Sequence, residues 1–265
     1  MTTNQQPYAL ITGATSGIGH ELAKLFANDK YNLIIVASNQ EGLDRTAADL
    51  TQQYGINVVT IARDLSQRDA PTAVYNEIKA SGIQVDVLVN NAGQGQYGLF
   101  VDTDLERELD IIQLNIGAYV GLTKFFLKEM TARNKGKILN VASTASELPG
   151  PWQAVYHATK AFVLSFTEAI RAEAKDTDIT ITALQPGPTD TDFFHKAQME
   201  DSKVVKEGSL ANPADVAKDG YGALMAGDDK VVSGAKNKFQ TAMSNIIPDS
   251  LLAEGIKKQQ APSDQ

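Results

Sequence analysis

The stretch YALITGATSGIG, residues 8–19, decides the fold of this chain. An apolar run enters a glycine-rich turn, and a helical pattern follows the turn. Gly13 permits a tight turn, Gly17 lets a ligand approach the backbone closely, and Gly19 lets the helix pack near the strand. The free backbone N–H groups and the helix dipole then form an anion site that suits a pyrophosphate. A plain tight turn is the alternative interpretation, but the position between the first strand and the first helix favours a dinucleotide site.

Short apolar runs alternate with longer helical stretches over most of the chain. Each run is almost continuously apolar, as expected of parallel strands that are covered on both faces. The repeated order of strand and helix predicts an α/β, Rossmann-like fold, a doubly wound parallel sheet with helices on both faces. Because the sequence has no internal repeat and no Gly/Ser-rich linker, we expect a single domain over residues 1–265. The predicted strands are Tyr8–Ile11, Asn32–Ala37, Asn57–Ala62, Val85–Val89, Lys137–Val141 and Ile179–Leu184.

Composition narrows the classes of function. The 265 residues carry a formal net charge of −8, which argues against nonspecific binding to nucleic acid or to an anionic membrane. The chain has no cysteine, so disulfide scaffolds, thiolate metal sites and cysteine nucleophiles are excluded. No apolar run approaches the roughly 18 residues of a spanning helix, and the first residues lack the pattern of a leader. We therefore expect a cytoplasmic protein, and no metal site, since His20, His157 and His195 are scattered.

The end of the second predicted strand holds the residues that choose between NAD and NADP. An acidic side chain there binds the ribose 2′-hydroxyl of NAD, whereas the 2′-phosphate of NADP requires neutral or basic surroundings. The stretch reads Ala37-Ser38-Asn39, with no acid before Glu41. This pattern favours NADP, with NAD as the alternative. A further alternative is that these are loop residues without a role in the choice of cofactor.

Tyr156 and Lys160 lie four residues apart and therefore on one face of a helix. A phenol with a pKa of about 10 is a poor acid or base at neutral pH, and we expect the lysine cation to lower this pKa into a useful range. Ser143, thirteen residues earlier, ends a predicted strand, where parallel sheets hold their ligands. Tyr75 and Lys79 share the spacing without such a serine, and we interpret them as a solvated helix pair.

Six motifs occur together and in order: TGATSGIG at 12–19, NNAG at 90–93, Asn115, Ser143, YHATK at 156–160 and PGPTDT at 186–191. In this combination the chain resembles the short-chain dehydrogenase/reductase family, in its compact one-domain subgroup, over residues 8–217. The resemblance implies an NAD(P)-dependent oxidoreductase that transfers a hydride between the nicotinamide and a carbonyl or a secondary alcohol. The alternative is a dinucleotide-binding regulatory protein of the same fold. Loss of the tyrosine or the lysine would have favoured it, but both Tyr156 and Lys160 are present.

The resemblance also implies a role for each site residue. Tyr156 is the expected acid in carbonyl reduction and base in alcohol oxidation. Lys160 is expected to lower its pKa and bind the nicotinamide ribose, and Ser143 to stabilise charge on the substrate oxygen. Asn115 is expected to hold a water that connects the lysine with solvent or, alternatively, to satisfy backbone groups inside its helix. Asp64 is expected to contact the adenine or, alternatively, to cap a helix. The residues expected to bind the cofactor are Gly13, Thr15, Ser16, Gly17, Ile18, Gly19, Ser38, Asn39, Asp64, Leu65, Asn91, Ala92, Gly93, Tyr156, Lys160, Pro186, Gly187, Thr189 and Thr191, with Asn90 also in the lining of the cleft.

Three loops, 94–100, 145–155 and 188–210, are expected to hold the substrate. Their apolar side chains predict a mostly apolar pocket for a small-molecule carbonyl or alcohol. The large apolar residues of the three loops are Tyr97, Phe100, Leu148, Trp152, Phe193, Phe194 and Met199.

The predicted helix from Asp104 to Met130 carries one apolar stripe, which we expect to pack mainly on the sheet. The rest of the stripe is expected to contact another subunit of a homo-oligomer, a dimer or tetramer.

The C-terminal region departs from the family pattern, which commonly ends in a strand and a tail that forms a tetramer interface. Residues 231–259 instead predict an atypical extension of two short amphipathic helices, the second starting at Pro248. Its apolar residues are expected to pack on the chain's own core; covering the substrate cleft, binding a partner and touching a membrane are the alternatives. Residues 1–7 and 260–265 are expected to be disordered tails. The apolar residues concerned are Phe239, Met243, Ile246, Ile247, Leu251 and Leu252.

Overall fold

One parallel sheet organises the computed structural model, which describes residues 6–244 and 248–263. Within these residues the spatial order of the strands is β3-β2-β1-β4-β5-β6-β7. The order reverses between β1 and β4, and such sheets bind ligands outside the carboxyl ends of the strands at that point. The predicted doubly wound, single-domain α/β fold is confirmed. The strands are β1 (Tyr8–Thr12), β2 (Asn32–Ala37), β3 (Val58–Ala62), β4 (Val85–Asn90), β5 (Gly136–Val141), β6 (Ile179–Gln185) and β7 (Lys230–Val232).

All six predicted strands are present, each within one residue of its predicted ends. Strand β1 is buried at every position and β2 at all but the last, which explains why these runs are almost continuously apolar.

Strand β7 contradicts the prediction that helices replace the terminal strand. It pairs in parallel with β6, with Val231 opposite Leu184. Three residues at the edge of a sheet are too few for an apolar period to show in the sequence.

Helices cover both faces of the sheet. Neighbouring residues of β1 face opposite ways: Ile11 packs with Phe26 in one cluster, and Leu10 packs with Phe126 and Ile170 in the other. Helices α1, α2 and α9 lie on the first face, and α3, α5 and α6 on the second. Two apolar cores therefore hold the sheet between them. The helices are α1 (Gly17–Asn28), α2 (Gln40–Tyr54), α3 (Ala70–Ala80), α4 (Leu105–Ile112), α5 (Ala118–Ala132), α6 (Ala154–Glu173), α7 (Phe193–Lys196), α8 (Lys203–Lys206), α9 (Pro213–Ala226), α10 (Ala235–Ser244) and α11 (Asp249–Gln260).

The predicted helix from Asp104 to Met130 changes its winding in the middle. Asp104 caps α4 by accepting a hydrogen bond from the Arg107 N–H at 2.8 Å. A π-helical segment, Gln113–Gly117, then joins α4 to α5. Such a segment adds a residue to the turn and rotates the faces on either side of it. The prediction that the apolar stripe packs mainly on the sheet is therefore wrong for its first half. The buried residues of the stripe are Tyr119, Phe126 and Met130, and the exposed ones are Leu105, Leu109 and Ile112.

Two helices, α10 and α11, follow β7, as the helical pattern predicts. Pro248 is the residue immediately before α11, where the second helix was expected to begin. Several apolar side chains of this extension are exposed, Phe239 by 70%. For these the prediction of packing on the chain's own core is wrong. Met243 and Leu251 are exposed as well, Leu252 is partly buried, and Ile246 and Ile247 lie outside the described residues.

The last described residues pack against the fold, contrary to the disorder predicted from residue 260. Gln260 is buried. The Lys203 N–H donates to the Ala261 carbonyl at 3.1 Å, and the Ser263 N–H donates to the Asp201 carbonyl at 2.9 Å. These bonds tie the C-terminal segment to the loops around α8. Of the two predicted tails, residues 1–5 and 264–265 lie outside the described part of the chain.

Candidate active site

The glycine-rich turn joins β1 to α1 at the switch point of the sheet. Gly13 has a φ of 68°, and a Cβ there would lie 2.9 Å from the Asn91 Nδ2. At Gly19 a Cβ would overlap the carbonyl oxygen of Gly13, so the start of the helix packs directly on the turn. Ser16 precedes α1 without a side-chain hydrogen bond to the helix. The first N–H groups of α1 therefore have no side-chain cap from this residue, as in a phosphate-binding helix N-terminus.

Asn91, directly after β4, holds the turn in place. Its Nδ2 donates to the carbonyls of Thr12 and Gly13 at 2.9 and 3.1 Å. The backbone N–H groups of Asn91 and Ala92 both donate to the Thr12 hydroxyl, at 2.9 and 3.0 Å. Asn90 does not line the cleft as predicted. It is fully buried and its Nδ2 bonds other polar groups of the core, because the strand alternation turns its side chain away from the turn.

A cleft of about 360 Å³ brings the predicted site residues together. It runs from the residues after β2 and β3, past the glycine-rich turn, to the residues after β5 and β6. Three predicted residues are not in its lining: Asn90, Gly19, which packs on the turn, and Asn115, which lies behind it. The predicted residues that line the cleft are Gly13, Thr15, Ser16, Gly17, Ile18, Ser38, Asn39, Asp64, Leu65, Asn91, Ala92, Gly93, Ser143, Tyr156, Lys160, Pro186, Gly187, Thr189 and Thr191.

A cation that sequence reasoning missed, Arg63, stands at the end of the cleft after β2 and β3. Its backbone N–H donates to the Ala37 carbonyl at 2.8 Å, because the strand register pairs Ala37 with Ala62. Its guanidinium is half-exposed and lies 3.6 Å from the Glu77 carboxylate. The order of the strands is the feature that could have identified Arg63, because the residue that follows β3 must lie beside the residue that ends β2.

Asn39 and Asp64 line the cleft and also stabilise local structure. Asn39 caps α2 by accepting a hydrogen bond from the Gly42 N–H at 3.0 Å. One oxygen of the Asp64 carboxylate accepts from the N–H and the hydroxyl of Ser66, at 3.0 and 2.8 Å. Because α3 begins only at Ala70, Asp64 closes a turn and does not cap that helix as the alternative interpretation supposed.

Ser143, Tyr156 and Lys160 meet where β5 ends. Ser143 follows β5 and accepts a hydrogen bond from the Ala145 N–H at 3.1 Å, which fixes its hydroxyl at the start of a short 3₁₀ turn. Tyr156 and Lys160 project from successive turns of α6. The Ser143 hydroxyl hydrogen-bonds the phenol, and the Lys160 Nζ lies 5.9 Å from the centre of the phenol ring. The predicted constellation is therefore assembled in three dimensions.

Burial dominates the ionisation of both titratable groups. It raises the pKa of the Tyr156 phenol to about 12, although the hydrogen bond with Ser143 acts to lower this pKa. It lowers the pKa of the Lys160 ammonium to about 7. The phenol pKa is therefore raised, contrary to the predicted lowering, because removal from water favours the neutral form of each group. The lysine donates instead to the Val141 carbonyl at 2.8 Å.

Asn115 lies in the π-helical segment and is completely buried. Its Oδ1 accepts from the Gln94 N–H at 3.0 Å, and its Nδ2 donates to the Gln94 carbonyl and the Thr159 hydroxyl, both at 2.9 Å. The side chain thus satisfies backbone groups, as the alternative interpretation supposed. These bonds fix the strand-to-helix loop behind Gly93, where a Cβ would lie 3.4 Å from the Lys160 Nζ.

Helix α11 covers the far end of the cleft with Ile256 and Gln260, both buried. The Gln260 amide lies 3.1 Å from the His157 Nε2, and the His157 Nδ1 lies 2.9 Å from the Leu148 carbonyl. Burial lowers the pKa of His157, and a neutral ring with its proton on Nδ1 satisfies both contacts. The extension therefore covers the cleft, one of the predicted alternatives, but with residues that were not singled out.

Four of the apolar loop residues line this covered end of the cleft. Tyr97 and Trp152 stack on each other next to it, with ring centres 5.5 Å apart. Phe100 is exposed by 64% and does not line the cleft. The covered end therefore combines these apolar side chains with polar ones, His157 and Gln260 among them. The four lining residues are Leu148, Phe193, Phe194 and Met199.

The comparison with known families agrees with this geometry. The family model described as short chain dehydrogenase matches residues 7–202. The chain belongs to the short-chain dehydrogenase family. The family predicted from the motifs is confirmed, and with it the oxidoreductase class.

Relatives within the family include reductases. A very-long-chain 3-oxoacyl-CoA reductase of Laccaria bicolor is 38% identical over 181 residues, which cover 67% of this chain and 53% of that protein. An uncharacterized oxidoreductase of Bacillus subtilis is 35% identical over 188 residues, 71% of this chain and 70% of that protein. A short-chain dehydrogenase from Sphingobium yanoikuyae, solved in complex with NADPH, has a TM-score of 0.81 and 27% identity, covering 91% of this chain and 96% of that one. The matched region is thus about half the length of the first of these relatives.

Within this short-chain dehydrogenase, the second tyrosine–lysine pair has a structural role. The Tyr75 hydroxyl donates to the Glu129 carboxylate at 2.7 Å, and Lys79 forms an ion pair with the same carboxylate at 2.9 Å. Glu129 belongs to α5, so the pair joins α3 to α5. Neither residue lines the cleft. The prediction of a solvated pair is wrong for Tyr75, which is partly buried against the core, whereas Lys79 is exposed.

Among the residues that the structure describes, no helix combines the length and the apolar character needed to cross a bilayer.

Proposed function

We propose that the chain is an NADP-dependent reductase of a carbonyl group, with Tyr156 as the acid that protonates the carbonyl oxygen. The observation that carries the proposal is that one cleft holds both the glycine-rich turn and the Ser143, Tyr156 and Lys160 group. A carbonyl oxygen placed against the phenol and the serine hydroxyl receives hydrogen bonds from two donors. When bound, the nicotinamide supplies the hydride.

The ionisation of the site suits reduction. With a pKa of about 12, the Tyr156 phenol keeps its proton at neutral pH and can donate it to an oxygen that gains negative charge. The phenolate left behind favours a protonated Lys160, whose pKa of about 7 lets it take up a proton near neutrality. The carbonyl thus gains one hydride at carbon and one proton at oxygen, and the lysine neutralises the phenolate until a proton is returned. In alcohol oxidation the same groups act in reverse.

Support for NADP comes from the end of the cleft after β2. Ala37 and Ser38 offer no carboxylate to repel a 2′-phosphate, and Arg63 supplies a cation beside them. An Arg guanidinium is well suited to binding phosphate oxygens. The structural relative solved with NADPH supports the same choice. The absence of a Cβ at Gly13 and Gly19 lets the turn pack closely against Asn91 and the start of α1, which gives it the compact form that holds the pyrophosphate of either cofactor at a helix N-terminus.

A 3-oxoacyl thioester is the substrate class we propose. Curated relatives at 35–38% identity are named very-long-chain 3-oxoacyl-CoA reductases. The apolar cover formed by Phe193, Phe194, Met199 and Ile256 suits an alkyl chain better than a sugar. A homo-oligomeric state and a cytoplasmic location stay predictions from the sequence.

The test is NADPH consumption with a 3-oxoacyl-CoA, followed by nicotinamide absorbance, for the wild type and for Tyr156→Phe. We expect turnover by the wild type and a loss of at least about 100-fold in the variant, which keeps its fold but has no proton to donate. Equal rates in the two proteins would refute the role of Tyr156. Tight NADPH binding without turnover of any carbonyl would favour the alternative, a regulatory dinucleotide-binding protein.

A further inference from the structure

A second concavity, the lysine hollow, lies on the other side of α11 from the cleft. Its lining holds three cations and one carboxylate, in a chain whose overall charge is −8. Among the described residues, no carboxylate forms an ion pair with any of the three lysines, although Glu254 lies one turn before Lys258. The hollow therefore carries a net positive local charge, because its three lysines outnumber the one carboxylate. The residues that line it are Trp152, Lys203, Glu254, Lys257, Lys258 and Ala261.

Helix periodicity places the hollow and the cleft on two faces of the same helix turn. Ile256 and Gln260, four residues apart, are buried and line the cleft. Lys257 and Ala261, also four residues apart, line the hollow. Side chains four residues apart share a helix face, and residues shifted by one position, such as Lys257 against Ile256, lie on a different face. The end of α11 is thus the wall between the two spaces.

The wall is fixed at several points. The Gln260 carbonyl accepts a hydrogen bond from the Tyr97 hydroxyl, and the Tyr97 ring stacks on Trp152, which lines the hollow. Trp152 itself has a φ of 72°, a left-handed conformation that a residue other than glycine adopts at a cost. The backbone of Lys203, another residue of the hollow, donates to Ala261. The hollow is therefore built by the same contacts that close the cleft over its substrate end.

We propose that the lysine hollow binds the phosphate groups of coenzyme A, and that the pantetheine arm passes round the end of α11 beside Trp152, so that the 3-oxoacyl part of the thioester reaches Tyr156, four residues further along the chain. This proposal deepens the proposed function and rests on it for the identity of the carrier. Lysine ammonium groups bind phosphates as point charges, and three of them on the rim of one hollow match a ligand with several phosphates. The covered end of the cleft takes the acyl part, and the charged part remains in solvent-accessible surroundings.

Calorimetric titration with coenzyme A tests the proposal on the full-length protein saturated with NADPH. Saturation is essential because the adenosine of coenzyme A otherwise competes for the glycine-rich turn. We expect binding that weakens as salt is added and that falls by about tenfold or more in Lys203→Gln/Lys257→Gln/Lys258→Gln, since three exposed ion pairs are removed. The matched control is Lys135→Gln/Lys175→Gln/Lys218→Gln, which removes three exposed cations remote from the hollow, and we expect it to bind as the wild type does.

Equal affinity in the wild type and the hollow variant, or no binding of coenzyme A by the wild type, would overturn the proposal. Binding of an acyl carrier protein in place of coenzyme A would also overturn it.

A kinetic measurement separates this proposal from the proposed function. With a 3-oxoacyl-CoA, we expect the hollow variant to have a higher KM and a kcat within about twofold of the wild type. Turnover with the same KM refutes the hollow alone. Lysine-dependent coenzyme A binding without any turnover refutes the proposed reaction and leaves the hollow supported.

Discussion

Replacing Lys160 by methionine is expected to change how the stability of the fold depends on pH. The amine is 4% exposed, and burial lowers its pKa from 10.5 to about 7. In the unfolded chain the amine keeps its proton up to about pH 10.5, whereas in the folded chain it loses the proton near pH 7. Between these values the unfolded state binds more protons, so the free energy of unfolding rises with pH.

The size of this effect follows from the two pKa values. Each pH unit over which the states differ by one proton changes the free energy of unfolding by about 1.4 kcal/mol. From pH 7 to pH 9, with the folded amine half-protonated at the start, Lys160 contributes an increase of about 2 kcal/mol. Methionine has a similar length and no charge, so the Lys160→Met protein lacks this increase, while all other titrating groups are shared.

Urea unfolding of both proteins at pH 7 and pH 9, without added cofactor and followed by circular dichroism, measures the difference. The wild type is expected to gain about 2 kcal/mol more than Lys160→Met between the two pH values. A parallel pH response in the two proteins would show that the folded amine has its ordinary pKa, and the account of proton uptake by Lys160 would then fail.

Four further substitutions test the site. Tyr156→Phe is expected to bind NADPH as tightly as the wild type, because only a hydroxyl is removed; a large loss of affinity would place Tyr156 in cofactor binding rather than proton transfer. Arg63→Leu is expected to weaken NADPH binding by about tenfold or more and to leave NADH binding nearly unchanged, and an equal effect on both would exclude a contact with the 2′-phosphate. Ala37→Asp is expected to shift preference towards NADH, so an unchanged ratio in fluorescence titrations would mean that the ribose is read elsewhere. Gly19→Ala is expected to lower the free energy of unfolding by about 1–3 kcal/mol in urea titrations, because its methyl group overlaps the Gly13 carbonyl; a neutral effect would contradict the close packing of α1 on the turn.

The features that the sequence predicts well are those whose cause is local. Strand β2 spans Asn32–Ala37, as predicted, because both of its faces are buried, which makes its residues apolar after Asn32. Ser143, Tyr156 and Lys160 come together because the end of a parallel strand and the spacing along one helix determine their placement.

The features that it misses depend on contacts between distant segments. Arg63 has no motif, and its position beside Ala37 arises from the pairing of β2 with β3. The π-helical segment around Asn115 rotates one half of a helix against the other. A search for apolar residues at the α-helical period does not reveal this rotation. Ile256 and Gln260 close the cleft because the C-terminal segment folds back on α8, through backbone hydrogen bonds that leave no pattern in side-chain type.

Transfer of deuterium tests the central claim most directly. The protein is incubated with a 3-oxoacyl-CoA and NADPH that carries deuterium at both C4 positions of the nicotinamide, and the product is analysed by mass spectrometry. The account predicts a 3-hydroxyacyl-CoA with deuterium on the carbon that bore the carbonyl, formed by the wild type and at a rate lower by at least about 100-fold in Tyr156→Phe. A product without deuterium, or one formed equally fast by both proteins, would contradict hydride transfer in this cleft with Tyr156 as the acid.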